Sequence, residues 1–190
     1  VPKALLNLGI IYFENENHDY TKALHYYTLA ANQTIDQNVS LKAKYHLGTL
    51  YQIMNDFKNS IFYLTETANT KANSVVVPLA QTLLGLLYYK NGFDIAKAIY
   101  YFQLGAQNND PISQYYIGKF YMYGLHNFEV NINKAIYYLY NSANQNNHEA
   151  QYYLGWIYLT GYLVTVDLEK GFYYINSSAN QNNSAALFAL

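Results

Sequence analysis

The clearest unit of internal repetition runs from residue 148 to residue 183 and reads HEAQYYLGWIYLTGYLVTVDLEKGFYYINSSANQNN. Its small and apolar positions Ala150, Leu154 and Tyr158 are four residues apart, a spacing that places side chains on one face of a helix. Asp167 precedes a second helical segment, where its carboxylate can accept hydrogen bonds from the free amides of the first turn. The unit therefore predicts two helices joined by a turn.

The markers of this unit recur along the whole chain. A Gly that follows an apolar residue and precedes a Tyr by three positions occurs five times, with the Gly residues at 9, 48, 85, 118 and 155. The hexapeptide SANQNN closes two units without change, at 142–147 and 178–183. Because the markers stay in phase, the sequence predicts a stack of helical repeats.

We predict a single helical-repeat domain over residues 1–190, with about five antiparallel helix pairs of ~36–39 residues and the start of a sixth. The expected units are 3–37, 38–76, 77–110, 111–147, 148–183 and the partial unit 184–190. The first two junctions contain five extra residues each, near Asn38 and Asn73. These junctions are expected to be either longer helices or altered turns.

Two further positions carry structural information. A Gly inside a helix costs about 1 kcal/mol relative to Ala, so its repetition at one register indicates close approach of a neighbouring helix. Asn residues after the second helices are expected to adopt the left-handed conformation that terminates helices. The residue two positions after each Gly is always apolar, which predicts a core row of Ile11, Leu50, Leu87, Phe120 and Ile157.

These markers resemble the Sel-one-like repeat (SLR) family, a relative of the tetratricopeptide repeats. The best match is Ala150, Leu154-Gly155, Tyr158, Gly161, Asp167, Lys170, Tyr173-Tyr174 and Ala179. The resemblance covers essentially the whole chain and implies an all-α fold, an α-solenoid wound as a right-handed superhelix, that binds proteins as an adaptor or scaffold. Tetratricopeptide repeats proper are the alternative, but their period of about 34 residues does not fit.

Composition argues against several other functions. All 11 basic residues are Lys, none is Arg, and the net charge is −1, so nucleic acid is not expected as a partner. With 0 Cys, thiolate chemistry is excluded. No apolar run is long enough to cross a membrane, and no phosphate-binding loop or serine elbow occurs. We therefore expect a protein without enzymatic activity or cofactor.

One loop carries side chains that could bind a metal ion. Glu14, Glu16 and Asp19 offer carboxylate oxygens beside His18, but the loop lacks the ligand spacing and the glycine of a calcium-binding EF-hand loop. Asp19 as a helix cap in a solvated loop is the preferred interpretation. The five His residues show no paired zinc spacing, so no metal is expected.

The binding surface is predicted from positions that vary between repeats. If the first helices line the concave face, as the resemblance implies, one helical line forms the floor of a groove. Its C-terminal end is rich in the residue types that dominate protein interfaces. The alternative is that these aromatic residues pack between adjacent units. The predicted partner-binding residues are Tyr116, Lys119, Tyr123, Tyr153, Trp156 and Thr160.

We expect a protein or peptide partner, a place in a larger complex and a longer native chain. Two finer functions stay open. The resemblance includes substrate-recruiting subunits of endoplasmic-reticulum ubiquitin ligase complexes, as well as cytoplasmic adaptors, so the compartment is undecided. It also includes secreted members once claimed as hydrolases, but those are rich in Cys. Four glycosylation sequons lean towards the reticulum lumen and begin at Asn32, Asn38, Asn176 and Asn182.

Overall fold

A computed structural model describes residues 1–16 and 18–190. Within these residues the chain forms eleven α-helices and no strand, and no helix among them is both long and apolar enough to cross a bilayer. The helices are α1 (Pro2–Glu14), α2 (Tyr20–Ala31), α3 (Gln37–Ile53), α4 (Phe57–Ala68), α5 (Val76–Lys90), α6 (Ile95–Gln107), α7 (Pro111–Tyr123), α8 (Ile132–Asn144), α9 (His148–Thr160), α10 (Leu168–Ala179) and α11 (Ser184–Phe188).

The chain divides into two compact units. The N-terminal unit covers Val1–Leu84 and the C-terminal unit covers Gly85–Leu190, so the division falls within α5. Each unit has its own buried core, which is made by residues from consecutive helices. The sequence prediction of five helix pairs and the start of a sixth is confirmed for the described residues.

Consecutive helices form antiparallel pairs. In the pair of α3 and α4, Gly48 faces Leu64, while Tyr51 stacks on Tyr63 with ring centroids 5.7 Å apart and planes within 4°. A residue further along α3 therefore contacts a residue earlier in α4, which is the arrangement of antiparallel helices. Equivalent stacked Tyr pairs join the remaining helix pairs: Tyr12–Tyr26, Tyr88–Tyr101, Tyr121–Tyr138 and Tyr158–Tyr174.

The repeated glycines permit this packing. A Cβ placed on Gly118 would lie 2.8 Å from Leu139 Cγ, and one on Gly155 would lie 2.6 Å from Ile175 Cγ1. Real Cβ atoms essentially never lie this close to another heavy atom, so a neighbouring group would have to shift, and the expectation of close helix approach is confirmed. In each pair the glycine faces a large side chain of its partner helix: Tyr27, Leu64, Phe102, Leu139 or Ile175.

A polar residue begins each second helix and fixes its first turn. The Asp94 carboxylate accepts a hydrogen bond from the backbone amide of Lys97 at 3.0 Å, and its second oxygen lies 3.5 Å from Lys97 Nζ. The same ammonium lies 5.4 Å from the ring centre of Tyr88. Cap, ion pair and cation–π contact thus join the two helices of a pair, and this arrangement recurs in the pairs that begin their second helix at Asp19 and Asp167.

Left-handed residues terminate the helices as expected. Asn109, Asn146 and Asn182 follow the second helices with φ of 64°, 66° and 61°. Gly124 and Gly161 end α7 and α9 with φ of 64° and 69°, a conformation that glycine adopts without steric cost.

One predicted core position is wrong. Leu50, Leu87, Phe120 and Ile157 are buried, but Ile11 is 58% exposed. The ring of Phe120 shows the reason, because it packs on Phe102 of the preceding pair at 6.2 Å. Among the described residues, no neighbouring helix pair covers the face of α1 that carries Ile11.

The two longer junctions contain both a longer helix and a longer connection. Helix α3 begins 11 residues before Gly48, whereas α7 and α9 begin seven residues before their glycines. Seven residues separate α4 from α5, whereas three separate α6 from α7. The extra residues near Asn38 therefore extend α3, and those near Asn73 mainly lengthen a connection.

We expect Gly118→Ala to destabilise the protein. Overpacking against Leu139 costs about 1–3 kcal/mol, while the better helix propensity of Ala returns about 1 kcal/mol. The net loss of unfolding free energy should be roughly 1 kcal/mol, measured by urea denaturation. In a Leu139→Ala background the same change should cost less, because the obstructing Cγ is gone and only the backbone nitrogen of residue 139 stays close, at 3.2 Å. An equal loss in both backgrounds would contradict the close-approach explanation.

We also expect the capping carboxylates to make stability sensitive to acid. Hydrogen bonds from the backbone amides and side chains three residues further on hold the pKa of Asp19, Asp56, Asp94 and Asp167 below the usual 3.8. A lowered native pKa contributes stability that is present above the unfolded pKa and is lost as the pH falls through the native pKa.

Changing all four Asp residues to Asn tests this expectation. Asn131 already caps α8 without a titratable group, so the variant should fold at pH 7. Its melting temperature should fall less between pH 7 and pH 2.5 than that of the unchanged protein. The same fall in both proteins would show that other carboxylates cause the acid sensitivity.

Candidate functional site

The six residues predicted to bind a partner lie on two helices of the C-terminal unit. Helix α7 carries Tyr116, Lys119 and Tyr123, and α9 carries Tyr153, Trp156 and Thr160. We call these six residues the aromatic patch. The first helices of consecutive pairs lie next to each other here, because rings of α7 and α9 are in direct contact.

Tyr153 lies at the centre of the patch. Its ring centroid is 5.8 Å from that of Tyr115 and 6.3 Å from that of Tyr123, which meets it edge-on at 77°. The ammonium of Lys119 lies 5.5 Å from the ring centres of both Tyr115 and Tyr153. Lys119 therefore makes cation–π contacts with two rings, and none of the ion pairs among the described residues involves it.

The tyrosines of this cluster favour the protonated state. Burial raises the pKa of Tyr123 to about 12, and the neighbouring Tyr153 adds to the shift. Burial likewise raises the pKa of Tyr115, which is 9% exposed. At neutral pH the cluster therefore offers neutral hydroxyl groups and a single positive charge.

Trp156 and Thr160 lie on the next turns of α9. The half-buried indole of Trp156 packs against Tyr162, with centroids 5.3 Å apart. Tyr162 lies beyond the end of α9, and its hydroxyl is 3.5 Å from the carbonyl oxygen of Met122. The hydroxyl of Thr160 donates to the carbonyl of Trp156 at 2.7 Å. Thr160 is exposed and forms the margin of the patch.

Tyr116 differs from the other members because it packs towards the preceding pair. Its ring stacks on Phe102 at 4.5 Å and 10° and meets Tyr89 at 5.3 Å. These contacts join α7 to α5 and α6 within the C-terminal unit. The sequence left open that these aromatic residues pack between adjacent repeats, and the ring of Tyr116 lies in this way against the preceding helix pair.

Two residues of the cluster were not singled out from sequence. Tyr115 lies beneath Lys119, and Tyr162 braces Trp156. Tyr115 lies just outside the line of variable positions on the first helices, and Tyr162 lies in the turn after α9, so neither position belongs to the predicted set. A signal for Tyr162 existed, because the equivalent residue after Gly124 is Leu125.

The arrangement supports binding by contact. Within the described residues, no group of three or more His, Asp or Glu side chains is placed to hold a metal ion. The Asp19 carboxylate caps α2, as the sequence predicts, by accepting a hydrogen bond from the amide of Lys22 at 3.0 Å. The aromatic patch instead combines half-buried rings, neutral hydroxyl groups and a cation without a carboxylate partner.

We expect substitutions within the patch to separate packing residues from contact residues. Because Tyr116 stacks on Phe102, Tyr116→Ala should lower the free energy of unfolding by roughly 2 kcal/mol, less than the full loss for a wholly buried ring. Tyr123 is 43% exposed, so Tyr123→Ala should cost about 1 kcal/mol or less. Tyr137→Ala, at a tyrosine that is 61% exposed, is the matched control. Urea denaturation that gave the reverse order would contradict this division.

Comparison with known proteins gives one family and several related folds. The model of the Sel1 repeat family matches residues 2–34, 78–110, 111–147 and 148–183. A crystal structure of a Sel1 repeat protein from Oxalobacter formigenes is 25% identical, with a TM-score of 0.81, over 98% of this chain and 75% of that one. No functionally curated protein is similar enough in sequence to count as a relative.

A second solved structure shares the fold. It is a protective antigen present in uropathogenic Escherichia coli strains, described as displaying an SLR fold. It is 22% identical, with a TM-score of 0.63, over 100% of this chain and 48% of that one. The helix pairs described above are thus those of an SLR-type α-solenoid.

Proposed function

This chain belongs to the Sel1 repeat family, and we propose that it is a non-catalytic scaffold that helps assemble a multiprotein complex by docking a protein partner on the aromatic patch. Repeats of this family serve protein–protein interaction. Because neighbouring helix pairs bury each other's apolar faces, a repeat stack leaves an extended surface free for binding.

The observation that carries the proposal is the position of Lys119. Its ammonium lies between the rings of Tyr115 and Tyr153 and enters no ion pair among the described residues. Tyr123 and Trp156 lie on the same two helices and are only partly buried. Partly buried Tyr and Trp are residue types in which interface hot spots are enriched.

The chemistry of the patch indicates what the partner presents. The rings of Tyr123, Tyr153 and Trp156 offer apolar faces to an apolar or aromatic anchor side chain. A partner carboxylate beside that anchor would pair with Lys119 and with the neutral tyrosine hydroxyl groups. A peptide segment or helix with one anchor and one acidic residue fits this surface.

The finer alternatives have less support. Substrate recruitment in the endoplasmic reticulum rests on glycosylation sequons that begin at residues 32, 38, 176 and 182. A hydrolase would need a nucleophile and a base within hydrogen-bonding reach, and the patch contains rings, one Lys and one Thr. The scaffold function therefore remains the proposal.

The test is affinity capture from the source cell with the unchanged chain and a triple variant, Tyr123→Ala, Tyr153→Ala and Trp156→Ala. We expect specific proteins to be retained by the unchanged chain and lost from the variant. Circular dichroism and the melting temperature must first show that the variant keeps its helices. A Lys119→Glu variant should weaken binding of the captured protein at least tenfold, and added salt should restore part of the affinity because it screens the new repulsion between carboxylates.

The matched control changes three tyrosines of the second helices. Tyr100, Tyr137 and Tyr173 are 52%, 61% and 65% exposed, and all three are changed to Ala. This variant should retain the same partners. If it loses them while the patch variant keeps them, the docking surface lies on the second helices and the proposal is wrong. If both variants keep them, neither aromatic surface holds the partner.

A further inference from the structure

The two junctions that depart from the repeat pattern line one cleft in the N-terminal unit. The cleft has a volume of about 610 Å³ and is bordered by the α2–α3 junction, the first turns of α3 and the α4–α5 connection. Its volume falls within the range of small-ligand sites. None of its residues belongs to the aromatic patch.

The extra residues create the cleft. The added N-terminal turn of α3 places Asn38 and Ser40 on one wall, and the longer α4–α5 connection places Asn73 and Ser74 on the other. The Ser74 hydroxyl donates to Asn38 Oδ1 at 3.3 Å. This hydrogen bond joins the two walls, and its residues lie one repeat apart in the chain. The later junctions are shorter, with three residues between α6 and α7 and three between α8 and α9.

Apolar contacts fix the floor of the cleft. Leu41 is 6% exposed and packs with Val76 and Val77 at the start of α5. The hydroxyl of Ser40 donates to the carbonyl of Ala31, which ties the end of α2 to α3. Packing against α2 and α5 therefore holds both walls of the cleft in place.

The lining is rich in neutral hydrogen-bonding groups. Carboxamides come from Gln33, Gln37, Asn38 and Asn73, Thr and Ser add hydroxyl groups, and Ala31, Leu41 and Ala72 add apolar surface. The only charged lining residue is Lys44, whose ammonium is 2.8 Å from Glu66 Oε2 and is thus already neutralised. The lining contains no aromatic ring on which a base or sugar could stack.

A peptide main chain matches this chemistry. Each peptide unit offers one N–H donor and one C=O acceptor, and a carboxamide side chain supplies the complementary acceptor and donor. Phosphate and other anions fit poorly, because the single cation already has a carboxylate partner. We propose that this cleft binds a short extended peptide segment through its main chain. The proposal rests on the N-terminal unit alone and does not depend on the function proposed for the aromatic patch.

The test uses a probe that offers little beyond a main chain, acetyl-Ala-Ala-Ala-N-methylamide, titrated into the whole isotopically labelled chain. We expect the side-chain amide signals of Asn38 and Asn73 to shift and to saturate at about millimolar probe. The signal of the Trp156 indole should not move. Shifts that never saturate, or that spread over both units, would overturn the proposal.

Two variants sharpen the result. Ala72 is exposed and lines the cleft, so Ala72→Trp should fill the cleft and weaken binding at least tenfold without disturbing a helix. Ala96 is exposed on α6, and Ala96→Trp should bind like the unchanged chain. The double variant Asn38→Ala and Asn73→Ala should also lose binding. Equal binding by Ala72→Trp would show that the probe does not enter the cleft.

Two further probes identify the ligand class. Inorganic phosphate and N-acetylglucosamine are titrated under the same conditions, and neither should saturate below ten times the concentration needed for the peptide probe. Tighter binding of either one would overturn the assignment to a peptide segment and point to an anion or a sugar instead.

Discussion

The close approach of a glycine to one large side chain of the partner helix sets the spacing within every helix pair. With Gly118 against Leu139 or Gly155 against Ile175, the two helices are near enough for a Tyr one turn further on to stack on a Tyr of the partner helix. The ring of that tyrosine lies against the ammonium of a Lys, and the Asp or Asn three residues before this Lys caps the second helix. Removal of the glycine contact would displace each of the contacts that follow it.

The contacts that depend on this spacing combine several weak interactions into a repeated unit. An exposed ion pair contributes little by itself, and a surface cation–π contact contributes about 0.5–1 kcal/mol. In the α5–α6 pair, Asp94, Lys97 and Tyr88 combine both with a helix cap, so one short segment orients both helices. The α3–α4 pair keeps the cap through Asp56 but has Asn59 where the other pairs have Lys.

The sequence predicted the regular parts of the fold because those parts depend on residues close together in the chain. Gly spacing, Asp or Asn caps and left-handed Asn residues each act within one helix pair, and each was found where expected. Burial of Ile11 was predicted wrongly, because burial depends on which helix covers a face and not only on register. The same limit applies to Tyr116, whose register matched the patch while its ring turned to Phe102. The cleft needed two junctions to meet, which no single segment of sequence reveals.

The confinement of each glycine contact to its own helix pair affects how this chain can change over generations. Extra residues between pairs leave the interior of each pair as it was, so a longer junction does not disturb the glycine contacts. The longer junctions around residues 34–38 and 70–74 show this, since α3 and α4 still pack through Gly48 and Leu64. New surface chemistry can therefore arise at one junction while units elsewhere, such as those ending in SANQNN, keep the short connections of the repeat.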